Sequence, residues 1–152
     1  MDKYIFICIG TNKLIEDSFG PRVGDILLDK FENNEKIKIF GTMEKPIHLK
    51  NGEEMINKIY SINRYEDYHK IIIDSAYSAN ENIGKIYVNL GGIVIGKAYS
   101  KGVYIPADLN VKTVVMNNKR ATQIKDDTQI NKMQIIQELS YITAKKIIEI
   151  IK

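Results

Sequence analysis

The 152-residue chain has the length of one ordinary domain, which leaves no room for a second full one. Hydrophobic residues make up 44% and charged residues 27%, a globular balance that excludes a disordered or collagen-like chain and predicts a sizeable core. Lys and Arg number 22 against 19 Asp and Glu, a formal charge of +3 without any basic block, so nucleic-acid binding is not indicated.

No apolar run approaches the roughly 20 residues of a membrane span, and no cleavable signal pattern opens the chain; residence in the cytoplasm, away from membranes, is expected. Tyr4 to Ile9 is an apolar run closed by Gly10, short enough for a strand buried on both faces as parallel strands are. Cys8 within it, the one cysteine, reads as a small core hydrophobe. Val23, Ile26, Leu27 and Phe31 then recur at helical spacing, and Pro21 suits a first turn, so a helix is predicted from about Pro21 to Phe31.

Lys36 to Phe40 reads as a second strand, Gly41 to Gly52 as a loop, and Met55, Ile56, Ile59 and Ile62 as the stripe of a second helix. His69 to Asp74, with Ile71-Ile72-Ile73 inside it, predicts a third buried strand with Asp74 at its C-terminal tip, followed by a polar stretch, Ser75 to Asn82. Ile86 to Leu90 and Val111 to Met116 are further strands, separated by extended pieces between Gly91 and Pro106. From Asp127, placed as an N-cap, Ile130, Met133, Ile136, Leu139, Ala144, Ile147 and Ile151 mark a long amphipathic helix with lysines on its other face. The alternation predicts an α/β sandwich around a mostly parallel, doubly wound sheet, one domain over residues 1–152.

In such a sheet the first and third strands lie side by side and ligands bind beyond their carboxyl ends. Asp17 and Asp74 both fall there, so strands ~4.8 Å apart bring two carboxylates into one cleft. Carboxylates that close resist ionising together; the pair either holds a proton for acid–base work or chelates a divalent metal. The structural alternative is that Asp17 caps the first helix and Asp74 caps a turn. Glu16, its neighbour, is assigned to solvent. His48, in the loop before the second helix, is a candidate proton shuttle or metal ligand, whereas His69 begins the third strand at the far end of the sheet and is set aside. Gly91 to Lys97 nearly matches a phosphate loop, but Ala98 lacks the hydroxyl that holds magnesium, and the match is read as chance.

The segments Ile9-Gly10-Thr11-Asn12, Asp17-Ser18-Phe19-Gly20-Pro21 and Ile72-Ile73-Asp74-Ser75-Ala76 together resemble the YyaC-type sporulation proteins, relatives of spore germination protease. Gly41-Thr42, Pro46-Ile47-His48, Ile83-Gly84-Lys85, Lys101 and Asp108 extend the resemblance over roughly residues 4 to 117. The wider group includes the hydrogenase maturation endopeptidases. The resemblance implies a three-layer α/β/α sandwich with a mostly parallel, doubly wound, phosphorylase/hydrolase-like sheet and its two acids at Asp17 and Asp74, catalytic in germination protease and metal-binding in the maturation endopeptidases. The latter add a histidine further along, and this chain has none after His69, so a metal-free pair is the closer implication.

The function expected on these grounds is a sporulation-associated endopeptidase, a hydrolase of atypical aspartic or metal-dependent type, acting on a protein or peptide. Asp17 and Asp74 share the catalytic proton and Lys101 supplies a nearby positive charge. No cofactor is expected; if the chemistry is metal-dependent, Asp17, Asp74 and His48 are the ligands. The alternative is an inactive member that binds a peptide or an ion, and self-association is left open. A phosphoacceptor domain, with Asp74 and Lys119 in its roles, fits less well because Glu16 and Asp17 lie too far past the first strand.

Overall fold

The computed structural model describes residues 2–96, 102–117 and 126–151. Five strands, β1 (Tyr4–Cys8), β2 (Ile37–Phe40), β3 (His69–Ser78), β7 (Leu109–Asn117) and β4 (Ile86–Leu90), form one sheet in the order β2-β1-β3-β7-β4. Every pairing is parallel except that of β4 with β7. A separate antiparallel ribbon joins β5 (Ile93–Ile95) to β6 (Val103–Ile105).

The apolar residues of β1 and β3 alternate between two cores, as a strand period of two dictates. Phe6, Cys8, Ile71 and Ile73 face α1 (Phe19–Phe31) and α3 (Asp126–Ile151), which meet them with Val23, Leu27, Ile136 and Ala144. Ile5, Ile7 and Ile72 face α2 (Gly52–Tyr60) and the ribbon, which supply Ile56, Ile59, Ile93, Ile95 and Ile105. The result is the expected three-layer α/β/α arrangement, with Cys8 fully buried; burial holds its thiol well above the usual range, in the inert neutral form. None of the helices described is long and apolar enough to cross a membrane.

Several sequence expectations are corrected. Helix α1 begins at Phe19, two residues before the expected start, with Pro21 still in its first turn. Strand β3 continues four residues past Asp74, because β7 keeps pairing with it after β1 has ended; Asp74 therefore lies inside a strand and not at its tip. Within the Gly91 to Lys97 stretch, whose likeness to a phosphate loop is read as chance, the described residues hold β5, while Lys97 and Ala98 lie outside the described residues, as do Lys101 and Lys119. The lysines of α3 are not all on its outer face: Lys132 points inward, only 7% exposed.

Two glycines let α1 and the β2 loop press against the end of β1. A Cβ on Gly20 would stand 2.0 Å from the Ile9 carbonyl oxygen, and one on Gly41, where φ is +91°, would stand 2.0 Å from the Cys8 oxygen. Both obstructions are backbone and cannot swing aside. Gly20→Ala is expected to destabilise the fold by about 2 to 3 kcal/mol, read as a lowered urea midpoint at unchanged slope. An unchanged midpoint would refute the close approach of α1 to β1.

Candidate functional site

Strand β1 is the shorter neighbour. Its last residue, Cys8, lies opposite Ile73, and the Ile9 N–H donates to the Ile73 carbonyl at 2.8 Å. Beyond that point the β1 side of β3 is unpaired, and Asp74 is the first residue in the opening. The chain leaving β1 turns back through a short 3-10 turn, Ile15–Asp17, closed by the Thr11 N–H donating to the Asp17 carbonyl at 2.9 Å. A cleft of about 590 Å³ results, lined by Gly10, Thr11, Asp17, His48, Asp74 and Ser75 among others. Sequence reasoning placed Asp17, Asp74 and His48 at this end of the sheet, and all three line the one cleft.

Neither aspartate does the capping work weighed as the alternative for it. Ser18 occupies the N-cap position of α1, makes no side-chain cap, and its hydroxyl instead donates to the Ile15 carbonyl. Asp17 accepts the hydroxyl proton of Tyr77 at 2.9 Å, and Asp74 Oδ1 accepts the Ser75 N–H at 2.9 Å within the strand. His48 Nδ1 accepts the Lys50 N–H at 3.2 Å, and its backbone N–H donates to Asn51.

The pKa of the partly buried Asp74 is pushed up to about 7. Removal from water is the main cause and the negative charge of Asp17 adds to it; the Lys112 ammonium and the Ser75 N–H pull the other way without cancelling it. Tyr77 is driven well above the ordinary phenol range by burial and by the charge of Asp17, so its hydroxyl stays protonated and remains a donor.

The turn carrying Asp17 is fastened from below. Glu16 is not a solvated acid: its side chain is 14% exposed and meets the inward Lys132 Nζ of α3 at 3.2 Å. Arg22 donates to the Ser18 hydroxyl at 2.9 Å and touches the Met133 sulfur, binding the same turn to α1 and α3.

Three residues here escaped the sequence reading. Lys112 stands opposite Asp74 across the β3–β7 ladder and acts electrostatically on it, the role expected of Lys101. No pattern in the sequence reports that register. Tyr77 stands in the stretch read only as polar, although an aromatic in such a stretch is a signal for strand. Lys132 was hidden because a lysine on an amphipathic helix reads as solvated.

His48 shares the cleft with both aspartates, but among the described residues no three His, Cys, Asp or Glu side chains stand together as a metal-holding group. Asp17, Asp74 and His48 do not form such a group in this structure.

Against solved structures, the chain resembles the NiFe hydrogenase maturation protease HycI from Thermococcus kodakarensis KOD1 with a TM-score of 0.55 at 14% identity, over 94% of this chain and 90% of that one. The likeness establishes the shared α/β fold. Among curated proteins, it is 26% identical over 111 residues to the uncharacterized protein YyaC of Bacillus subtilis (strain 168), a match covering 73% of this chain. The match spans about half of that relative's length, 52%. A family model described as protein of unknown function (DUF1256) matches residues 1–146, and the chain belongs to that family.

Proposed function

We propose that the cleft hydrolyses a peptide bond, with Asp17 and Asp74 as an unequal acid–base pair and a protein or peptide as substrate. The observation that carries this reading is that both aspartates line one cleft at the end of β1. Asp74 is poised near neutrality to give a proton, and Asp17 is held as an acceptor by Tyr77. Asp17 takes a proton from water as the water oxygen bonds to the peptide carbonyl carbon, and Asp74 protonates the carbonyl oxygen. The proton on Asp17 then passes to the amide nitrogen as the C–N bond breaks, and Asp74 recovers its own as the carbonyl re-forms. The fold shared with a maturation protease supports a peptidase, and the resemblance to YyaC-type proteins supports a place in sporulation, in the cytoplasm of the mother cell or developing spore.

The test is incubation of the purified protein with a peptide library at neutral pH, followed by labelling of new amino termini. Discrete cleavage by the wild type, lost in Asp17→Asn, supports the proposal. Absence of cleavage by the wild type, or equal cleavage by the variant, overturns it. Peptide retention by an Asp17→Asn, Asp74→Asn double variant that cleaves nothing would instead support a binding module only if the wild type also cleaves nothing.

Tyr77→Phe removes the hydroxyl that donates to Asp17 and keeps the ring packed against the α1–α3 core. With its acceptor no longer held, cleavage is expected to fall about tenfold in kcat with little change in KM. An unchanged kcat would show that the bond is incidental.

A further inference from the structure

The two edges of the sheet differ. The β2 edge carries Lys38 within the strand, the kind of charge that guards an edge against adding strands. The β4 edge has no such guard: Ile86-Tyr87-Val88-Asn89-Leu90 contains no charge, no proline and no bulge. Val88 is 62% exposed and Leu90 88% exposed, and Tyr87 is exposed as well.

The register with β7 fixes which backbone groups face outward. Leu90 lies opposite Leu109 and the Gly91 N–H donates to the Asp108 carbonyl, so Leu90 is in a non-hydrogen-bonded pair and Asn89 in a hydrogen-bonded one. By the same alternation Tyr87 bonds to β7, while the N–H and C=O of Ile86, Val88 and Leu90 point away from the sheet. The side chains of those three lie on the α3 face. Leu139 stands against Gly84, and Thr143 bonds to Thr113, the partner of Ile86, so α3 runs beside β4 in the same sense. Helical spacing puts Ile142, Lys146 and Ile150, all exposed, on the Leu139 side of α3.

We propose that β4 pairs antiparallel with β4 of a second copy of this chain about a two-fold axis at Val88, joining two sheets into one. A strand fits its own copy only if its outward groups meet outward groups, and this register does so: Val88 meets Val88, and Ile86 meets Leu90 of the partner copy. No like charges are opposed along the strand pair, since Lys85 falls opposite Gly91. The exposed apolar side chains of β4 and the adjoining side of α3 come together with their symmetry mates. Because the other edge is guarded by lysine, growth stops at the dimer and does not run on as a filament.

The test is sedimentation equilibrium of the full chain, with backbone hydrogen exchange at low and high protein concentration. The expected result is a dimer at about 100 µM that Val88→Lys and Leu90→Lys each weaken at least 100-fold, with thermal unfolding of the monomer little changed. The amides of Ile86, Val88 and Leu90 are expected to gain protection as concentration rises, while those of Tyr87 and Asn89 are protected throughout. A wild type still monomeric at about 100 µM overturns the proposal. So does a dimer indifferent to both lysines, or one that leaves the Val88 amide unprotected. None of these readouts depends on peptide cleavage, so the two proposals stand or fall separately.

Discussion

Asp74→Asn is expected to reduce peptide cleavage by about 10²- to 10⁴-fold and, at the same time, to make the fold more stable at pH 8. The loss follows because asparagine keeps the size of the side chain and removes the transferable proton. The gain follows from linkage. The folded carboxyl titrates near 7 against an ordinary value of 3.8. Below about pH 4 it is protonated in both states and costs nothing. Between about 4 and 7 the folded chain retains a proton the unfolded chain has released, so stability falls as pH rises, and above about 7 the loss is complete. The neutral variant escapes this loss, by an amount on the order of 2 kcal/mol once solvent screening of a partly buried group is allowed for. Urea unfolding at pH 4 and pH 8 checks it: the variant should match the wild type at pH 4 and exceed it at pH 8. Equal stability at both would show that Asp74 ionises as freely as an exposed carboxyl, and the acid role would fall with it.

Lys132→Met should destabilise the protein by about 3 to 5 kcal/mol, because it leaves the Glu16 carboxyl in a largely water-free place with its cation gone. Truncating one partner of a buried pair is far costlier than replacing both, so adding Glu16→Gln to Lys132→Met should recover most of the stability. Chemical unfolding of the wild type and the two variants measures this directly. If the single variant loses less than about 1 kcal/mol, the pair is effectively solvated and does not fasten the turn. The double variant has a second use: with stability restored, any remaining deficit in cleavage reports how far the Glu16–Lys132 contact holds Asp17 in place beside it.

The chain order of the elements is legible in the sequence because it depends on local periodicity. Tyr4 to Ile9 and Ile71-Ile72-Ile73 are apolar runs short enough for strands with two buried faces, and Val23, Leu27, Ile136 and Ala144 recur at the spacing of a helix face. The parallel arrangement followed from that alternation, and with it the placing of Asp17, Asp74 and His48 at one end of the sheet. The Asp17-Ser18-Phe19-Gly20-Pro21 segment stood out in the sequence, and its physical basis is the absence of a Cβ where α1 crosses the Ile9 backbone.

What the sequence determined is what neighbours along the chain decide: apolar periods, a proline suited to a first turn, and the succession of strand and helix that admits few topologies. What only the tertiary structure decided is what residues far apart in the chain do to one another. That β3 runs on past Asp74 depends on β7 continuing beyond the end of β1. That Lys112 acts on Asp74 depends on strand register. That Tyr77 holds Asp17, and Lys132 holds Glu16, depends on turns and helices packing into contact. The titration of Asp74 belongs to the same class, since burial and charge are set by everything that surrounds a group in space, and the order of residues along the chain does not carry that information.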